Sequence, residues 1–370
     1  MNETIKSLLL TDTEVAESAA TAIYVDLQDR DLIELGSRGY TFLDHSEAFR
    51  KEWSKFRSVS NSKLIDLKDL MEREPGDIDF VWHYFPWKKT FVKLPSENFY
   101  FTLRTVRNLY KLTRQELLDL SRKKVGIIGL SVGQAVAIPL VLERICGELR
   151  IADFDSLELT NMNRLQTSVI EIGLNKAVIT ARRIAELDPY FKVKTFETGI
   201  NADNIDEFVL GGGKLDLVID ECDSGDIKLL TRRVCRKHGI PVIMETSDRG
   251  LLDVERYDLE PNLPLLHGMF DEVDEHLNLS DEAKRNLLLK AIDFTKVSDR
   301  GIQSMTEIGK SITSWPQLAT DVVSGGATAA MAARLILLGH GLKSGRVYVD
   351  IQSRIFEALG ASAFNSEGKS

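Results

Sequence analysis

Short apolar runs alternate with longer amphipathic stretches along the middle of the chain, from residue 124 to about residue 265. Five runs have the length and β-branched content of strands: KVGIIG, ELRIADFD, KVKTFET, LDLVIDE and IPVIMET. Between them the pattern predicts helices that end at Glu143, extend from Lys176 to Leu187 and extend from Asp226 to His238. This alternation predicts an α/β fold with a parallel, doubly wound sheet.

The remaining patterns divide the chain further. Residues 1–98 combine a strand and helix start (YVDLQDRDLIEL), an amphipathic helix (HSEAFRKEWSKF) and an aromatic hairpin (WHYFPWKKTFVKL), which predicts a smaller N-terminal α+β domain. A helical lead-in over 99–123 opens a core domain of residues 99–360. Within it we expect an acidic helical insertion at 266–304, a helix of small residues (GGATAAMAARLILLG) and a closing strand (GRVYVDI). Residues 361–370 form a tail.

Composition narrows the class of protein. The 370 residues suffice for two to three domains, and the formal charge of −9 argues against a nucleic-acid partner. The three cysteines include no CxxC pair, so we expect no structural zinc. No apolar run reaches the roughly 18 residues of a membrane span, and Met1–Leu10 lacks a secretory pattern. We therefore expect a cytoplasmic protein without membrane contact.

A glycine turn follows the first strand of the alternating region. Gly129-Leu-Ser-Val-Gly133 separates KVGIIG from the next helix, which is where α/β folds bring backbone N–H groups to nucleotide phosphates. The turn also matches G-x-S-x-G, the nucleophile elbow of serine hydrolases, with Ser131 as the nucleophile and His238, His267 or His340 as its base. A purely structural strand–helix turn is a third interpretation.

The residues after the second strand favour the nucleotide interpretation. Asp153 follows the turn at about the distance, roughly 20 residues, where such folds place a carboxylate on the ribose hydroxyls. Asp155 shares its face of the strand but is the weaker candidate, because it can already belong to the loop. Downstream come cations and amides suited to phosphate oxygens: Asn161, Arg164, Gln166 and, at a helix start, Lys176.

A third set of acids follows LDLVID. Asp223 is a plausible Mg²⁺ ligand, because Mg²⁺ takes one or two carboxylates together with phosphate oxygens and water. Asp220 and Glu221 are the alternatives. Cys222 lies among these acids, which disfavour a thiolate, so we expect it to have a packing role.

These residues together resemble the superfamily of ThiF, MoeB and ubiquitin-activating enzymes, which adenylate carboxyl groups with Mg-ATP. The likeness runs from about Phe101 to Gly341, and its motifs are the Arg107-Asn108 pair, the glycine turn, the DFD strand, the N-x-x-R of Asn161 and Arg164, the NK lysine and the acid after the fourth strand. It implies a Rossmann-like, ThiF-like sheet that binds ATP.

The same resemblance implies roles for individual residues. Asp153 would bind ribose, Asn161, Arg164 and Lys176 the phosphates, and Asp223 magnesium. Arg107 would reach the phosphates bound by a neighbouring subunit, which implies a homodimer.

A narrower likeness points to the substrate. The segments WHYFPWKK, GLSVGQAVA, ETSDRGLLDVERYDLEP and SWPQLATDVVSGGAT resemble a bacterial ThiF-like group, and peptide-modifying members of the superfamily include the microcin C and pantocin A enzymes. The chain departs from the family in its glycine turn and in lacking CxxC zinc motifs and a cysteine at the usual thioester position. These departures indicate direct capture of an acyl adenylate.

We therefore expect ATP-dependent adenylation of a peptide carboxyl group, in the maturation of a ribosomal peptide or antibiotic. The N-terminal domain would grip the peptide, with Trp82–Trp87, Lys88 and Lys89 as an edge for an added strand. One alternative is activation of the C-terminal Gly of a sulfur-carrier or ubiquitin-like protein. Another is a non-catalytic nucleotide- or NAD-binding module.

Overall fold

A computed structural model describes residues 20–59, 67–270, 280–292 and 295–360. The described residues divide into two compact units. The first contains the residues up to Arg122, with 141–147 and 178–195; the second contains 123–140, 148–177 and the residues from Phe196 onward. The domain boundary near residue 98 remains a prediction.

The first unit contains a four-stranded sheet in the order β1-β3-β4-β2. Its strands are β1 (Ile23–Val25), β2 (Thr41–Asp44), β3 (Phe80–Phe85) and β4 (Thr90–Pro95). The helices in the part of this unit before Arg122 are α1 (Asp29–Ser37), α2 (Ser46–Val59), α3 (Lys68–Met71), α4 (Glu97–Thr105) and α5 (Arg114–Leu120). The antiparallel pairing of β3 with β4 is the hairpin that the aromatic segment predicts.

The aromatic hairpin does not provide a free sheet edge. Strand β3 pairs with β1 on one side and with β4 on the other, so the backbone of Trp82–Tyr84 is paired on both sides. Its side chains pack within the sheet: the Tyr84 ring stacks on Phe91 at 4.5 Å between centroids. The prediction that Trp82–Trp87 offers an edge to a peptide is therefore wrong, and the edges of this sheet are β1 and β2.

The larger sheet has seven strands in the order β11-β10-β9-β8-β5-β6-β7. The strands are β5 (Lys124–Ile128), β6 (Glu148–Ala152), β7 (Lys192–Phe196), β8 (Leu217–Asp220), β9 (Val242–Thr246), β10 (Leu251–Glu255) and β11 (Gly345–Tyr348). The helices are α6 (Gly133–Glu143), α7 (Lys176–Leu187), α8 (Ile205–Leu210), α9 (Gly225–His238), α10 (Asp281–Ala291), α11 (Asp299–Met305), α12 (Ala319–Leu337) and α13 (Ile351–Leu359).

The winding of this sheet confirms the α/β prediction. Strand β5 pairs in parallel with β6 on one side and with β8 on the other, and β8 pairs in parallel with β9. The chain thus reverses its direction of winding at β5. The edge formed by β10 and β11 differs, because both pairings there are antiparallel.

Strand β10 was not expected from the sequence, because it contains two acids. Asp253 and Glu255 are fully buried, and arginines from distant segments neutralise them. Arg346 pairs with Asp253, and Arg232 of α9 lies 2.6 Å from Glu255. Arg232 also pairs with Asp220 at 2.5 Å, so one buried guanidinium joins the ends of β8 and β10.

Helix α12 packs unusually close to its neighbours. A Cβ atom on Gly325 would overlap Oε1 of Glu245 in β9, and a Cβ on Gly326 would lie 2.5 Å from the carbonyl oxygen of Ala135 in α6. The small-residue pattern of this helix therefore serves close packing of the backbone.

The expected acidic insertion at 266–304 is helical where the structure describes it, in α10 and α11. Residues 271–279 and 293–294 of the insertion and the tail at 361–370 lie outside the described residues. Among the helices of the described ranges, none has both the length and the apolar character needed to cross a membrane.

Replacing Arg232 tests the buried ion network. The Arg232→Met variant leaves Asp220 and Glu255 buried without their guanidinium, and we expect its free energy of unfolding to fall by about 3 kcal/mol. The control is Lys237→Met, an exposed position of the same helix, with an expected change within about 0.5 kcal/mol. Urea denaturation followed by circular dichroism measures both. Equal effects would show that the network does not stabilise the fold.

Candidate functional site

Three strands of the large sheet end at the same level. Ile128 of β5 lies opposite Ala152 of β6 and opposite Asp220 of β8. The residues that follow, Gly129, Asp153 and Glu221, therefore leave the sheet together. This edge is the carboxyl end of the strands at the point where the winding reverses, which is where doubly wound folds bind ligands.

The glycine turn lies directly against the end of β8. Gly129 has a φ of +86°, and a Cβ there would be 2.7 Å from the carbonyl oxygen of Glu221. Gly133 begins α6, and a Cβ there would be 2.7 Å from Cγ2 of Ile127. Both glycines are thus required by close approach, and the N-terminus of α6 points its N–H groups toward the edge of the sheet, an arrangement that favours an anion.

Asp153 braces this turn. Its carboxylate accepts hydrogen bonds from the N–H of Leu130 at 2.7 Å and from the N–H of Asp155 at 2.8 Å. Burial raises the pKa of Asp153, whereas the two donors and Lys176 oppose that rise. Each carboxylate oxygen keeps a second lone pair, so the group can still accept from ribose hydroxyls.

Asp155 holds Lys176 in the site. The Nζ atom of Lys176 lies 2.8 Å from Oδ2 of Asp155, and the backbone N–H of Lys176 donates to the Asp155 carbonyl at 2.9 Å. The lysine is buried whereas the aspartate is half exposed. The sequence indicated both residues as nucleotide contacts, but their pairing emerges only from the fold.

Arg164 bonds to Ser131 of the glycine turn. Its Nη2 group donates to the Ser131 hydroxyl at 3.0 Å, and its Nη1 group donates to Oδ1 of Asn163 at 2.9 Å. Burial lowers the pKa of Arg164, and the nearby Asp223 opposes that shift. The described bond of the Ser131 side chain is to an arginine rather than to a histidine, so the hydrolase interpretation lacks its base.

Asn161 and Gln166 shape the loop that carries Arg164. The side chain of Asn161 accepts from the N–H of Glu158 at 3.0 Å, and its carbonyl accepts from the N–H of Arg164 at 3.2 Å. The backbone N–H of Gln166 donates to the side chain of Gln134 in α6 at 2.9 Å. Contact of Asn161 with phosphate remains a prediction.

Asp223 is the acid best suited to Mg²⁺. Asp220 is occupied by Arg232 and Lys228, and Glu221 accepts from the N–H of Glu245 at 3.1 Å.

The side chain of Asp223 is exposed to solvent. Partial desolvation by the surrounding protein raises its pKa, although Lys228, Arg164 and Lys176 oppose the rise. Within the described ranges, no group of three or more His, Cys, Asp or Glu residues could hold a metal. A single accessible carboxylate fits Mg²⁺ that arrives with phosphate.

The three thiols are poorly suited to nucleophilic attack. Cys146 and Cys235 are fully buried. Burial raises the pKa of Cys235, and burial together with Asp220 raises that of Cys222 well above the usual range.

Arg107 lies in the first unit, in a short 3-10 helix over Val106–Asn108, and its side chain is exposed. The role of Arg107 in a neighbouring subunit remains a prediction.

The fold is a doubly wound α/β domain, and its candidate ligand edge lies where β5, β6 and β8 end. Residues 104–257 match the ThiF family, and this part of the chain is a ThiF family domain. The resemblance and the fold class predicted from the sequence are therefore confirmed.

Two curated relatives illustrate the range of the match. The chain is 45% identical over 276 residues to the uncharacterized protein MT1398 of Mycobacterium tuberculosis, covering 74% of this chain and 38% of that protein. It is 27% identical over 127 residues to ubiquitin-like modifier-activating enzyme 5 of Drosophila willistoni, covering 32% of this chain and 31% of the enzyme. The chain thus spans about a third of the length of these relatives.

Among solved structures, the chain is similar to the E. coli tRNA N6-threonylcarbamoyladenosine dehydratase TcdA in complex with ATP. The identity is 17%, the TM-score is 0.49, and the match covers 66% of this chain and 97% of TcdA.

Labelling tests the state of the thiols. In native protein at pH 8 we expect iodoacetamide to modify Cys146 and Cys235 at least about 100-fold more slowly than in denaturant, because both are buried. Cys222 is also expected to react slowly, since its thiolate is disfavoured. Peptide mass spectrometry assigns the modified positions. Fast labelling of native Cys235 would contradict this view of the site.

Proposed function

We propose that the chain uses Mg-ATP to adenylate a carboxyl group on a peptide and that the acyl adenylate is then captured directly by a second nucleophile. One observation carries the proposal: in a ThiF family domain, the glycine turn, Asp153, the Asp155–Lys176 pair, Arg164 and Asp223 all belong to the ligand edge of β5, β6 and β8. NAD binding explains Asp153 but leaves the two cations without a role.

The chemistry needs positioning and neutralisation of charge. A carboxylate oxygen attacks the α-phosphorus of ATP, the bond to the β-phosphate oxygen breaks, and pyrophosphate leaves with the electron pair. Arg164 and Lys176 neutralise the charge that develops on the phosphate oxygens. Asp153 accepts from the ribose hydroxyls while it keeps the glycine turn in shape.

Asp223 would hold Mg²⁺, which supplies further neutralisation of the phosphates. The cations are arranged before the ligand arrives. Arg164 bonds to Ser131 and Asn163, and Lys176 pairs with Asp155, so binding needs little reorganisation of these side chains. Asp155 thereby acts as a positioning residue for Lys176.

The state of the cysteines supports direct capture. A thioester relay requires an accessible thiol with a lowered pKa. The three cysteines of this chain are buried or carry a raised pKa, which supports transfer of the acyl group without a covalent enzyme intermediate.

The relative from Drosophila willistoni is named for activating a ubiquitin-like modifier, so activation of a small protein is the competing hypothesis.

The peptide would bind in the first unit. Because β3 is paired on both sides, strand addition requires β1 or β2, the edges of the small sheet. On β1, the side chain of Tyr24 is 61% exposed and available to a bound strand. The maturation of a ribosomal peptide, as in antibiotic biosynthesis, is the setting that this proposal favours.

The activity is tested by Mg-ATP binding in a calorimeter and by ATP–pyrophosphate exchange with a panel of synthetic peptides. We expect magnesium-dependent exchange that Arg164→Ala and Asp223→Asn each reduce by about 100-fold, because each removes a group that stabilises developing charge. Controls are Arg300→Ala and Asp206→Asn, both exposed positions. Exchange with a small protein but with none of the peptides would favour the competing hypothesis. Full activity in Asp223→Asn would remove the magnesium assignment.

Assembly is tested by mixing two inactive proteins. If Arg107 acts on the site of a neighbouring subunit, Arg107→Ala mixed with Asp153→Ala forms heterodimers with one intact site. We then expect roughly a quarter to a half of wild-type exchange activity after subunit exchange. Each variant alone provides the control. A monomer by light scattering, or no recovery on mixing, would exclude a shared site and the proposed homodimer.

A further inference from the structure

Glu245 is a buried acid for which the described part of the chain provides no cationic partner. It lies in β9 with 4% of its surface exposed, and both of its carboxyl oxygens lack a hydrogen-bond partner within the described residues. The other deeply buried acids of this sheet have cationic partners: Asp220 and Glu255 pair with Arg232, and Asp253 pairs with Arg346.

Among the residues that the structure describes, the charged groups that act on Glu245 are two acids. Glu221 reaches it from the end of β8, and Asp321 reaches it from the first turn of α12. The first four residues of α6, from Gly133 to Val136, carry no charge. An ionised Glu245 would therefore be buried beside like charges, at a cost that proteins avoid by keeping the group protonated. In agreement, burial and then Glu221 raise the pKa of Glu245.

The position of Glu245 links it to the glycine turn. Its carboxyl group lies against Gly325 of α12, and its backbone N–H donates to Oε1 of Glu221 at 3.1 Å. Glu221 in turn packs against the turn: a Cβ on Gly129 would be 2.7 Å from its carbonyl oxygen, and a Cβ on Gly133 would be 3.7 Å from its Cβ.

We propose that Glu245 is a positioning residue that is kept as an uncharged carboxylic acid and holds α12, the end of β8 and the glycine turn in register for nucleotide binding. The positioning role rests on the proposed function, because it presupposes that the site binds a nucleotide. The uncharged state of Glu245 does not depend on that function. When the acid ionises, it repels Glu221 and Asp321, and the contacts that support the turn weaken.

The linkage between protonation and folding gives the first test. The pKa of Glu245 is higher in the folded than in the unfolded protein. The contribution of Glu245 to the free energy of unfolding is therefore fully present below the unfolded pKa and is lost as pH rises through the folded pKa. Glu245→Gln is neutral at every pH and removes this loss. We compare the melting temperatures of Glu245→Gln and wild type at pH 5 and at pH 8.5. The difference, variant minus wild type, should increase by at least about 5 °C between the two pH values.

A matched control and a spectroscopic readout sharpen this test. Glu282→Gln makes the same exchange at an exposed position of α10, and its pH–stability curve should parallel that of wild type. An infrared difference spectrum between wild type and Glu245→Gln near neutral pH should contain the carbonyl band of one protonated carboxyl group. Parallel stability curves for a folded Glu245→Gln protein, without that band, would overturn the proposal.

Calorimetric titration with Mg-ATP tests the positioning role. Between pH 6.5 and pH 10 we expect the affinity of wild type for Mg-ATP to fall about tenfold more than that of Glu245→Gln, while Glu282→Gln follows wild type. Equal losses in wild type and Glu245→Gln would overturn the positioning role, even if the acid is uncharged. If wild type bound no Mg-ATP at any pH, the proposed function and the positioning role would both fail, and the stability and infrared measurements would still decide the state of Glu245.

Discussion

The close approach of the glycine turn to the end of β8 is the constraint on which the site depends. Gly129 leaves β5 with a positive φ and no room for a side chain, since the backbone of Glu221 occupies that space. The turn is consequently held at the level where Asp153 and Asp223 leave their own strands. If β5 lay farther from β8, the hydrogen bond that the Leu130 N–H donates to Asp153 would lose its present geometry. The direction of α6 would also change.

Charge is distributed in two distinct ways around this edge. Below it, acids and arginines form closed pairs that are fully buried, such as Arg232 with Asp220 and Glu255. At the edge itself, Arg164 and Lys176 have weaker or partly exposed partners in Ser131 and Asp155. The first arrangement fixes the strand ends, and the second leaves cations that can exchange partners for phosphate oxygens.

Much of the fold follows from the pattern of apolar and polar residues. The strands β5 to β9 and the helices α6, α7 and α9 were predictable because each is either an apolar run or an amphipathic stretch of suitable length, and α7 begins and ends at the predicted residues. Strand β10 was not, because Asp253 and Glu255 give it a polar pattern that only distant arginines neutralise.

The candidate site was predictable in part. The order of Asp153, Arg164 and Lys176 suggested a nucleotide site. However, their pairing with neighbouring side chains depends on distances between segments that are far apart in the sequence. Glu245 was missed because it lies within an ordinary apolar strand, and nothing in that strand indicated a functional residue.

The glycine pair of α12 has a consequence for how this sequence can vary. Gly325 and Gly326 each face an atom that already occupies the place of a Cβ, one in β9 and one in α6. Alanine at Gly325 would meet the carboxyl group of the Glu245 side chain, whereas alanine at Gly326 would meet the backbone of Ala135, which cannot rotate away. Natural variants and mutational scans should therefore find Gly326 the less tolerant of the two positions. A survey of tolerance would mark it as functionally essential although it forms no part of the ligand edge.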